Sequence, residues 1–222
     1  NFAPTELSKE SLIKEGKKPE SIYVTGNTAI DALKTTVKDD YTNEHLEWAK
    51  DSRLIMITAH RRENLGEPMT HMFRAIRRVM DEHPDVKAIY PIHMNPAVRE
   101  RAEKELSGCD RIRIIEPLEV LDFHNFLARS YMILTDSGGI QEEAPSLGKP
   151  VLVMRATTER PEGIKAGTLK LVGTDEEVIY SNFSRLLTNE EEYKKMSHAS
   201  NPYGDGTACK QIADILSKYN NI

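Results

Sequence analysis

Four short segments of the 222-residue chain combine imidazole, guanidinium, carboxylate and glycine in patterns that suit a phosphate ligand. The first is residues 58–64, Thr-Ala-His-Arg-Arg-Glu-Asn, which directly follow the apolar run Leu-Ile-Met-Ile. Arginine offers a planar fork of donors, and histidine exchanges protons near neutral pH. At a strand end these side chains indicate either phosphate binding or a solvated charged loop, and the spacing alone does not separate the two. The segment lacks the second histidine of a zinc-binding helix.

The second segment, residues 135–143, has the sequence Thr-Asp-Ser-Gly-Gly-Ile-Gln-Glu-Glu and runs from a predicted strand into a predicted helix. Backbone amides at a helix N-terminus favour an anion, and the two glycines allow its close approach. Glu143 is expected about one turn into the helix, on a face that can meet sugar hydroxyls. An ordinary strand-to-helix turn has the same pattern, and the segment is neither the G-x-G-x-x-G fingerprint nor a Walker loop.

Two further segments carry a charged or imidazole side chain just after an apolar run. Residues 155–162 place Arg160 directly before a proline that can open a helix, although a charged surface turn is an equal alternative. Residues 91–96, Pro-Ile-His-Met-Asn-Pro, put His93 at a strand end, where a lone histidine is more often structural than catalytic.

Composition excludes several classes of function. Thirty Lys and Arg against 35 Asp and Glu give a net charge of −5, so the chain has no overall positive field for nucleic acid. Its apolar runs are far shorter than the ~20 residues of a membrane span, and we expect no signal peptide. Cys109 and Cys209 lack the spacing of a disulfide framework or a thiolate metal site, which favours a reducing cytoplasm.

Short apolar runs alternate with longer amphipathic segments, the pattern of parallel strands joined by helices. The predicted strands are residues 21–25, 53–58, 86–92, 111–115, 132–135, 150–154 and 169–172. The predicted helices are residues 5–15, 28–37, 68–82, 96–106, 118–128, 141–147, 175–187 and 208–219. We expect an α/β fold with a Rossmann-like, doubly wound parallel sheet. Ligands bind beyond the carboxyl ends of such strands, where all four segments fall.

Six motifs occur in order along the chain: residues 25–28 (Thr-Gly-Asn-Thr), 60–64, 91–96, 135–146, 157–162 and 201–206 (Asn-Pro-Tyr-Gly-Asp-Gly). Together they closely resemble the non-hydrolysing UDP-N-acetylglucosamine 2-epimerases of bacteria, over essentially the whole chain. The resemblance implies two Rossmann-like domains facing a cleft, the glycosyltransferase-B arrangement, and interconversion of UDP-GlcNAc and UDP-ManNAc.

The chain resembles only the C-terminal half of such an enzyme. The resemblance implies that residues 1–50 form the crossover from an N-terminal domain missing before Asn1. Residues 51–206 would form the UDP-binding domain, and residues 207–222 a helix returning toward the N-terminal domain. The expected partners are UDP, UDP-GlcNAc and UDP-ManNAc, the N-terminal domain, and a second copy in a full-length homodimer. Neither nucleic acid nor a membrane is expected as a partner.

The resemblance also implies roles for single residues. His60 matches a catalytic or diphosphate-contacting position. The residues matching the UDP site are Leu118 and Phe123 near the uracil, Ser137, Gly138 and Gly139 at the phosphates, Glu143 at the ribose, and Arg160. In the bacterial enzymes a second UDP-GlcNAc is an allosteric activator, and the residues matching that site are Arg61, Glu63 and His93. Ala156 departs from the family, which often has an acidic residue there.

The implied reaction eliminates UDP as the C2 proton leaves, forms 2-acetamidoglucal and rebuilds the sugar from the other face. No cofactor is implied, neither a metal nor a nicotinamide. We expect the chain alone to bind UDP weakly without epimerising, because the resemblance assigns the acid and base carboxylates to the N-terminal domain. The alternatives are a glycosyltransferase of the same architecture, a hydrolysing epimerase and a non-catalytic UDP-sugar-binding module. The product would feed a cell-envelope polysaccharide such as teichoic acid.

Overall fold

The computed structural model describes residues 1–219, so positions 220–222 of the predicted segment 207–222 lie outside the described residues. Its strands are β1 (Phe2–Ala3), β2 (Tyr23–Val24), β3 (Arg53–Thr58), β4 (Val86–Pro91), β5 (Ile112–Ile115), β6 (Met132–Thr135), β7 (Val151–Val153) and β8 (Leu169–Leu171). Its α-helices are α1 (Glu6–Lys14), α2 (Thr28–Thr36), α3 (Glu44–Ala49), α4 (Glu67–Glu82), α5 (Pro96–Leu106), α6 (Val120–Arg129), α7 (Ile140–Ser146), α8 (Pro161–Ala166), α9 (Glu176–Thr188), α10 (Glu190–Ser197) and α11 (Ala208–Tyr219).

The main sheet is entirely parallel and has the strand order β5-β4-β3-β6-β7-β8. The chain begins this sheet at β3 in the middle, moves outward to β5, returns to β6 beside β3, and moves outward again to β8. This is the doubly wound Rossmann order, whose direction reverses between β3 and β6. The predicted fold class is therefore confirmed.

Apolar side chains cover both faces of the sheet, as parallel strands require. Three successive residues of β3, Ile55, Met56 and Ile57, are fully buried. On one face the core includes apolar residues of α4, α5, α9 and α10, and on the other it includes residues of α3, α6 and α7. Because the faces are covered, the ends of the strands are left for ligands.

Some local predictions are corrected by the structure. The predicted strand 21–25 is reduced to Tyr23–Val24, which pairs with β1 in a separate two-stranded parallel sheet. Helices α3, α8 and α10 are absent from the predicted ranges because they are short and rich in charge, although Pro161 was expected to be able to open a helix. The predicted helix 118–128 begins at Val120 instead, since Glu119 has extended backbone angles, and Leu118 therefore lies in the loop before α6.

The first 50 residues pack onto the domain that carries the main sheet. Helix α2 contacts α6, α7 and α11, so the segment before the main sheet packs against the last described helix. Asn27 caps α2 by accepting a hydrogen bond from the backbone N–H of Ala29 at 2.9 Å. None of the helices in the described part of the chain combines the length and apolar character that crossing a membrane demands.

Candidate functional site

The four segments singled out in the sequence follow β3, β4, β6 and β7, and all four lie at the carboxyl edge of the sheet. The register pairs Thr58 at the end of β3 with Thr135 at the end of β6. Their hydroxyl groups are 2.5 Å apart and buried. The loops that follow these two strands therefore start side by side at the switch point, the place where open α/β sheets bind ligands.

Asp136 holds the loop after β3 in place. This fully buried side chain accepts hydrogen bonds at Oδ2 from the backbone N–H groups of His60 (3.0 Å) and Arg61 (2.9 Å). Asn64, which is also buried, donates from Nδ2 to the same oxygen at 3.0 Å and to the carbonyl oxygen of Met154 at 3.2 Å. One carboxylate thus organises residues 60–64 and links them to the loop after β7. Asp136 lies within the segment 135–143 but was not predicted to have a role of its own.

The imidazole of His60 lies between this carboxylate and His93. Its Nε2 is 3.9 Å from Oδ1 of Asp136, and 38% of the side chain is exposed. Its ring stacks on that of His93, with centroids 5.4 Å apart and an interplanar angle of 21°. Beneath the loop, the buried hydroxyl of Tyr90 donates to the carbonyl oxygen of Ala59 at 2.5 Å. His60 is therefore held on its backbone side while its ring remains accessible.

A cavity of about 410 Å³ opens beside His60 and His93. It brings these residues together with Leu118 and Phe123, two further predicted site residues. The remaining lining residues are Thr58, Pro91, Met94, Pro117 and Ile140. A concave, largely apolar wall with a few polar groups suits the base of a nucleotide.

The turn formed by Ser137, Gly138 and Gly139 adjoins this cavity at Ile140. The backbone N–H of Ser137 donates to Oγ1 of Thr135 at 2.9 Å, so this amide already has a partner. Gly138 is buried between charged groups. A Cβ at this position would lie 2.9 Å from Oε1 of Glu159, 3.6 Å from a terminal nitrogen of Arg61 and 3.8 Å from one of Arg160.

Glu143, the residue predicted to meet sugar hydroxyls, is mostly buried. Its side chain is 19% exposed, and Oε2 lies 3.7 Å from Nε2 of the buried His124. Burial, and secondarily the charge of Glu142, raise the pKa of Glu143. Burial lowers the pKa of His124, whose Nδ1 is 2.7 Å from the hydroxyl of Thr36. The other oxygen of Glu143, Oε1, would lie 3.9 Å from a Cβ on Gly139, so this oxygen faces the turn.

The three residues matched to the allosteric site make contacts with different partners. Arg61 donates from Nε to the carbonyl oxygen of Asp136 at 3.0 Å and from a terminal nitrogen to Glu159 at 3.1 Å. Glu63 accepts from Nε of Arg155 at 3.1 Å. Both therefore face the loop after β7, whereas His93 stacks on His60.

Arg155 is a buried residue that the sequence analysis missed. It pairs with Glu63 and with Glu159, which come from loops after different strands. Burial opposes ionisation of Glu159, but a backbone hydrogen bond and the Arg155 guanidinium outweigh it, and the pKa of Glu159 is lowered. Ala156 is exposed, and Arg155 already has two carboxylate partners without an acidic side chain at that position.

The arrangement combines an apolar cavity, an accessible imidazole and a turn between two guanidinium groups, which suits a nucleoside diphosphate. Within the described residues, no group of three or more His, Cys, Asp and Glu side chains is placed to hold a metal ion.

Comparison with known proteins agrees with this chemistry. The family model described as UDP-N-acetylglucosamine 2-epimerase matches residues 1–217. The UDP-N-acetylglucosamine 2-epimerase of Bacillus subtilis (strain 168) is 63% identical over 216 residues, which cover 97% of this chain and 57% of that protein.

Solved structures give the same result. S. aureus MnaA, in a co-structure with UDP, matches with a TM-score of 0.95 and 55% identity over 99% of this chain and 60% of its own. The UDP-GlcNAc 2-epimerase of Neisseria meningitidis bound to UDP-GlcNAc matches with a TM-score of 0.89 and 44% identity, covering 98% and 61%. The chain thus spans about three fifths of the length of these relatives, 57–61%. It belongs to the UDP-N-acetylglucosamine 2-epimerase family.

Proposed function

We propose that this chain supplies the UDP-binding half of an epimerase that interconverts UDP-GlcNAc and UDP-ManNAc. The observation that carries the proposal is the buried Gly138, which lies between the guanidinium groups of Arg61 and Arg160 and beside the cavity of His60 and Phe123. The guanidinium donors of Arg61 and Arg160 next to a glycine turn suit a diphosphate that displaces the exposed Glu159 carboxylate from Arg61, and the neighbouring apolar wall matches a base. The UDP and UDP-GlcNAc complexes of relatives support this choice of ligand.

The residues can be assigned along one path. The uracil lies in the cavity against Leu118 and Phe123. The phosphates lie on the turn of Ser137, Gly138 and Gly139, where Arg160 and the ring of His60 contact them. Glu143 accepts hydrogen bonds from the ribose hydroxyls through the oxygen that faces the turn.

This site performs the leaving-group half of an elimination. The C2 proton of the sugar departs as the bond from C1 to the UDP oxygen breaks, which gives 2-acetamidoglucal and UDP. Re-addition of UDP at C1 and of a proton at the opposite face of C2 completes the inversion. Preorganised cations stabilise charge that develops on the departing diphosphate. Holding both fragments in one cleft is worth about 7–11 kcal/mol, because it avoids a new bimolecular encounter.

The proposal divides the chain as follows. Residues 51–206 form the UDP-binding domain, residues 1–50 the crossover from an N-terminal domain that supplies the acid and base carboxylates, and residues 207–222 the return to that domain. The full-length enzyme is a homodimer in the cytoplasm. Arg61, Glu63 and His93 serve an allosteric UDP-GlcNAc site when that domain is present.

Two measurements test the proposal. Calorimetry of this chain with UDP is expected to show binding, and titration without any heat of binding would contradict the site. Incubation with UDP-GlcNAc in deuterated water, followed by mass spectrometry, is expected to show no deuterium at C2. Exchange at the rate of a full-length family member would contradict the division of labour between the two domains.

A further inference from the structure

Glu142 lies where three distant segments of the chain meet, and the proposed function leaves it without a role. The residue is 5% exposed. Its Oε1 accepts a hydrogen bond from Nε of Arg160, and its Oε2 accepts one from Nδ2 of Asn27. The backbone carbonyl of Glu142 accepts from Nδ2 of Asn201 at 3.0 Å. A buried carboxylate is stable only when paired in this way, so each of these partners matters to it.

The partners Asn27 and Asn201 belong to two sequence motifs that the nucleotide site does not use, residues 25–28 and 201–206. The backbone N–H of Asn27 donates to the carbonyl oxygen of Tyr203 at 2.7 Å. Gly26 and Gly204 have positive φ angles, and a Cβ on Gly26 would lie 3.1 Å from Cα of Gly204. These backbones approach so closely that only glycine fits, and the two motifs are held together as one unit.

The orientation of the Asn27 side chain is fixed. Its Oδ1 is occupied by the N–H of Ala29 at the start of α2, so Nδ2 is the group that faces Glu142. Glu142 therefore has one oxygen for Asn27 and one for Arg160. This arrangement needs a hydrogen-bond donor in the side chain at position 27 and a side chain at position 142 whose two terminal atoms both accept.

The contact with Glu142 decides which part of Arg160 is free. Nε faces Glu142, Nη1 donates to the carbonyl oxygen of Glu159 at 3.3 Å, and Nη2 lies 3.8 Å from the Cβ position of Gly138. Arg160 is the N-cap residue of α8, and its side chain makes no capping hydrogen bond. Without Glu142, this side chain would have many rotamers to lose on binding a phosphate, whereas an anchored guanidinium is preorganised.

We propose that Glu142 is a positioning residue, which Asn27 holds in place and which directs Arg160 at the phosphate turn. The motifs at residues 25–28 and 201–206 then support nucleotide binding from a distance. This inference rests on the proposed function, because it requires a diphosphate at Gly138.

A pair of substitutions tests the inference by breaking and restoring the hydrogen bonds. Glu142→Gln keeps an acceptor for Arg160 but turns an amide N–H toward the N–H of Asn27. Adding Asn27→Asp supplies an acceptor for that amide, retains a cap for α2 and restores the net charge. The gentler variant Asn27→Ser also retains the cap, but its shorter side chain removes the amide that donates to Glu142.

The readout compares UDP with uridine, which lacks the diphosphate. Calorimetry is expected to show UDP binding about tenfold weaker in Glu142→Gln, and recovered to within about threefold of the original chain by the double substitution. Uridine binding, followed by NMR titration, is expected to stay unchanged in both. Equal losses for UDP and uridine, or no recovery in the double variant, would show a general structural role and overturn the inference.

Arg160→Lys separates failure of the inference from failure of the proposed function. Lysine keeps the charge but loses the Nε donor and the planar fork. Unchanged UDP binding in Arg160→Lys would contradict the proposed phosphate contact itself. Weaker binding in Arg160→Lys together with unchanged binding in Glu142→Gln would overturn only the positioning role. If Glu142→Gln does not fold, UDP binding of Asn27→Ser tests the inference instead. Binding weaker than that of the original chain is expected, and equal binding would overturn the inference.

Discussion

The carboxylate of Asp136 holds the main chain of His60 and lies beside its ring, although 76 residues separate the two. Oδ2 lies 3.0 Å from the backbone nitrogen of His60, and Oδ1 lies 3.9 Å from Nε2 of its ring. One buried group therefore fixes the start of the loop after β3 and places a negative charge next to its imidazole.

Replacing Asp136 by asparagine should destabilise the fold. The new amide oxygen can keep the hydrogen bonds at the Oδ2 position only as a neutral acceptor, and the new NH2 group then takes the Oδ1 position, 3.1 Å from the backbone nitrogen of His60. Each buried donor left without a partner costs about 1–3 kcal/mol, so we expect Asp136→Asn to lower the free energy of unfolding by about 2–4 kcal/mol. Urea denaturation measures this change. Asp40→Asn is the matched control, because Asp40 is exposed, and it should change stability by less than about 0.5 kcal/mol. Equal effects would contradict the role of Asp136.

Gly138→Ala tests the space between the two guanidinium groups. Gly138 does not have a positive φ, so alanine fits its backbone, but the methyl group would displace Glu159 and fill the turn. We expect UDP to bind at least about tenfold more weakly by calorimetry. The free energy of unfolding should change by less than about 1 kcal/mol, because the displaced side chain is exposed and flexible. If Gly138→Ala binds UDP as tightly as the original chain, the phosphates do not lie on the turn at Gly138.

The aromatic ring of Phe123 provides a test of the base pocket. Phe123→Leu keeps an apolar side chain in the cavity and removes the flat π surface. Base stacking on aromatic rings contributes about 1–3 kcal/mol, so we expect uridine to bind about fivefold or more weakly. Val120→Ala lies on the same helix but outside the cavity, where its side chain is 62% exposed, and should leave binding unchanged. The same loss in both variants would exclude a specific contact of Phe123 with the base.

The raised pKa of Glu143 has a predictable effect on stability. Burial, followed by the charge of Glu142, raises this pKa in the folded state. The folded chain therefore favours the protonated carboxyl, and this contribution is present at low pH and lost as the pH rises through the folded pKa. Glu143→Gln removes the ionisable group. The variant should unfold at a higher temperature than the original chain at about pH 7.5, and the difference should shrink toward about pH 4.

Thermal denaturation across this pH range measures the effect of Glu143→Gln. The matched control is Glu100→Gln, since Glu100 is an exposed residue of α5. A Glu143→Gln variant that is less stable than the original chain at neutral pH would show that the ionised carboxylate is favoured in the fold, and would contradict the prediction.

The fold was predictable because its signals are local. Strands β3 and β6 coincide with the predicted ranges 53–58 and 132–135, since each is a short apolar run with clear boundaries. The long helix α4 has a strong apolar face and was predicted to within one residue. The only sequence signal for helices α3 and α10 is an asparagine at the N-cap, Asn43 and Asn189. Asparagine is also common in loops, so this signal does not identify a helix.

The positions of the site segments were predictable, but their contacts were not. Residues after strands must gather at one edge of a parallel sheet, which is why His60, Leu118 and Phe123 meet. The pairs Asp136–His60 and Glu142–Asn27 join segments that no local pattern relates. The sequence offered no sign that Arg155 is buried, because residues 155–162 can equally form a charged surface turn. The carboxylates that pair with Arg155 are those of Glu159 and of Glu63, and Glu63 lies in a distant part of the sequence. The roles of the predicted site residues remain predictions until ligand binding is measured.

The adjacency of β3 and β6 links nucleotide binding to the folding equilibrium. Residues 55 and 132 pair although two further strands and three helices lie between them in the chain, so the site does not exist in an unfolded chain. A ligand that binds only the native state stabilises it by mass action, by about 2.7 kcal/mol at a hundred times its Kd. UDP should therefore slow proteolysis of this chain and raise its melting temperature, so that the cell's nucleotide pool helps to set how much folded protein persists.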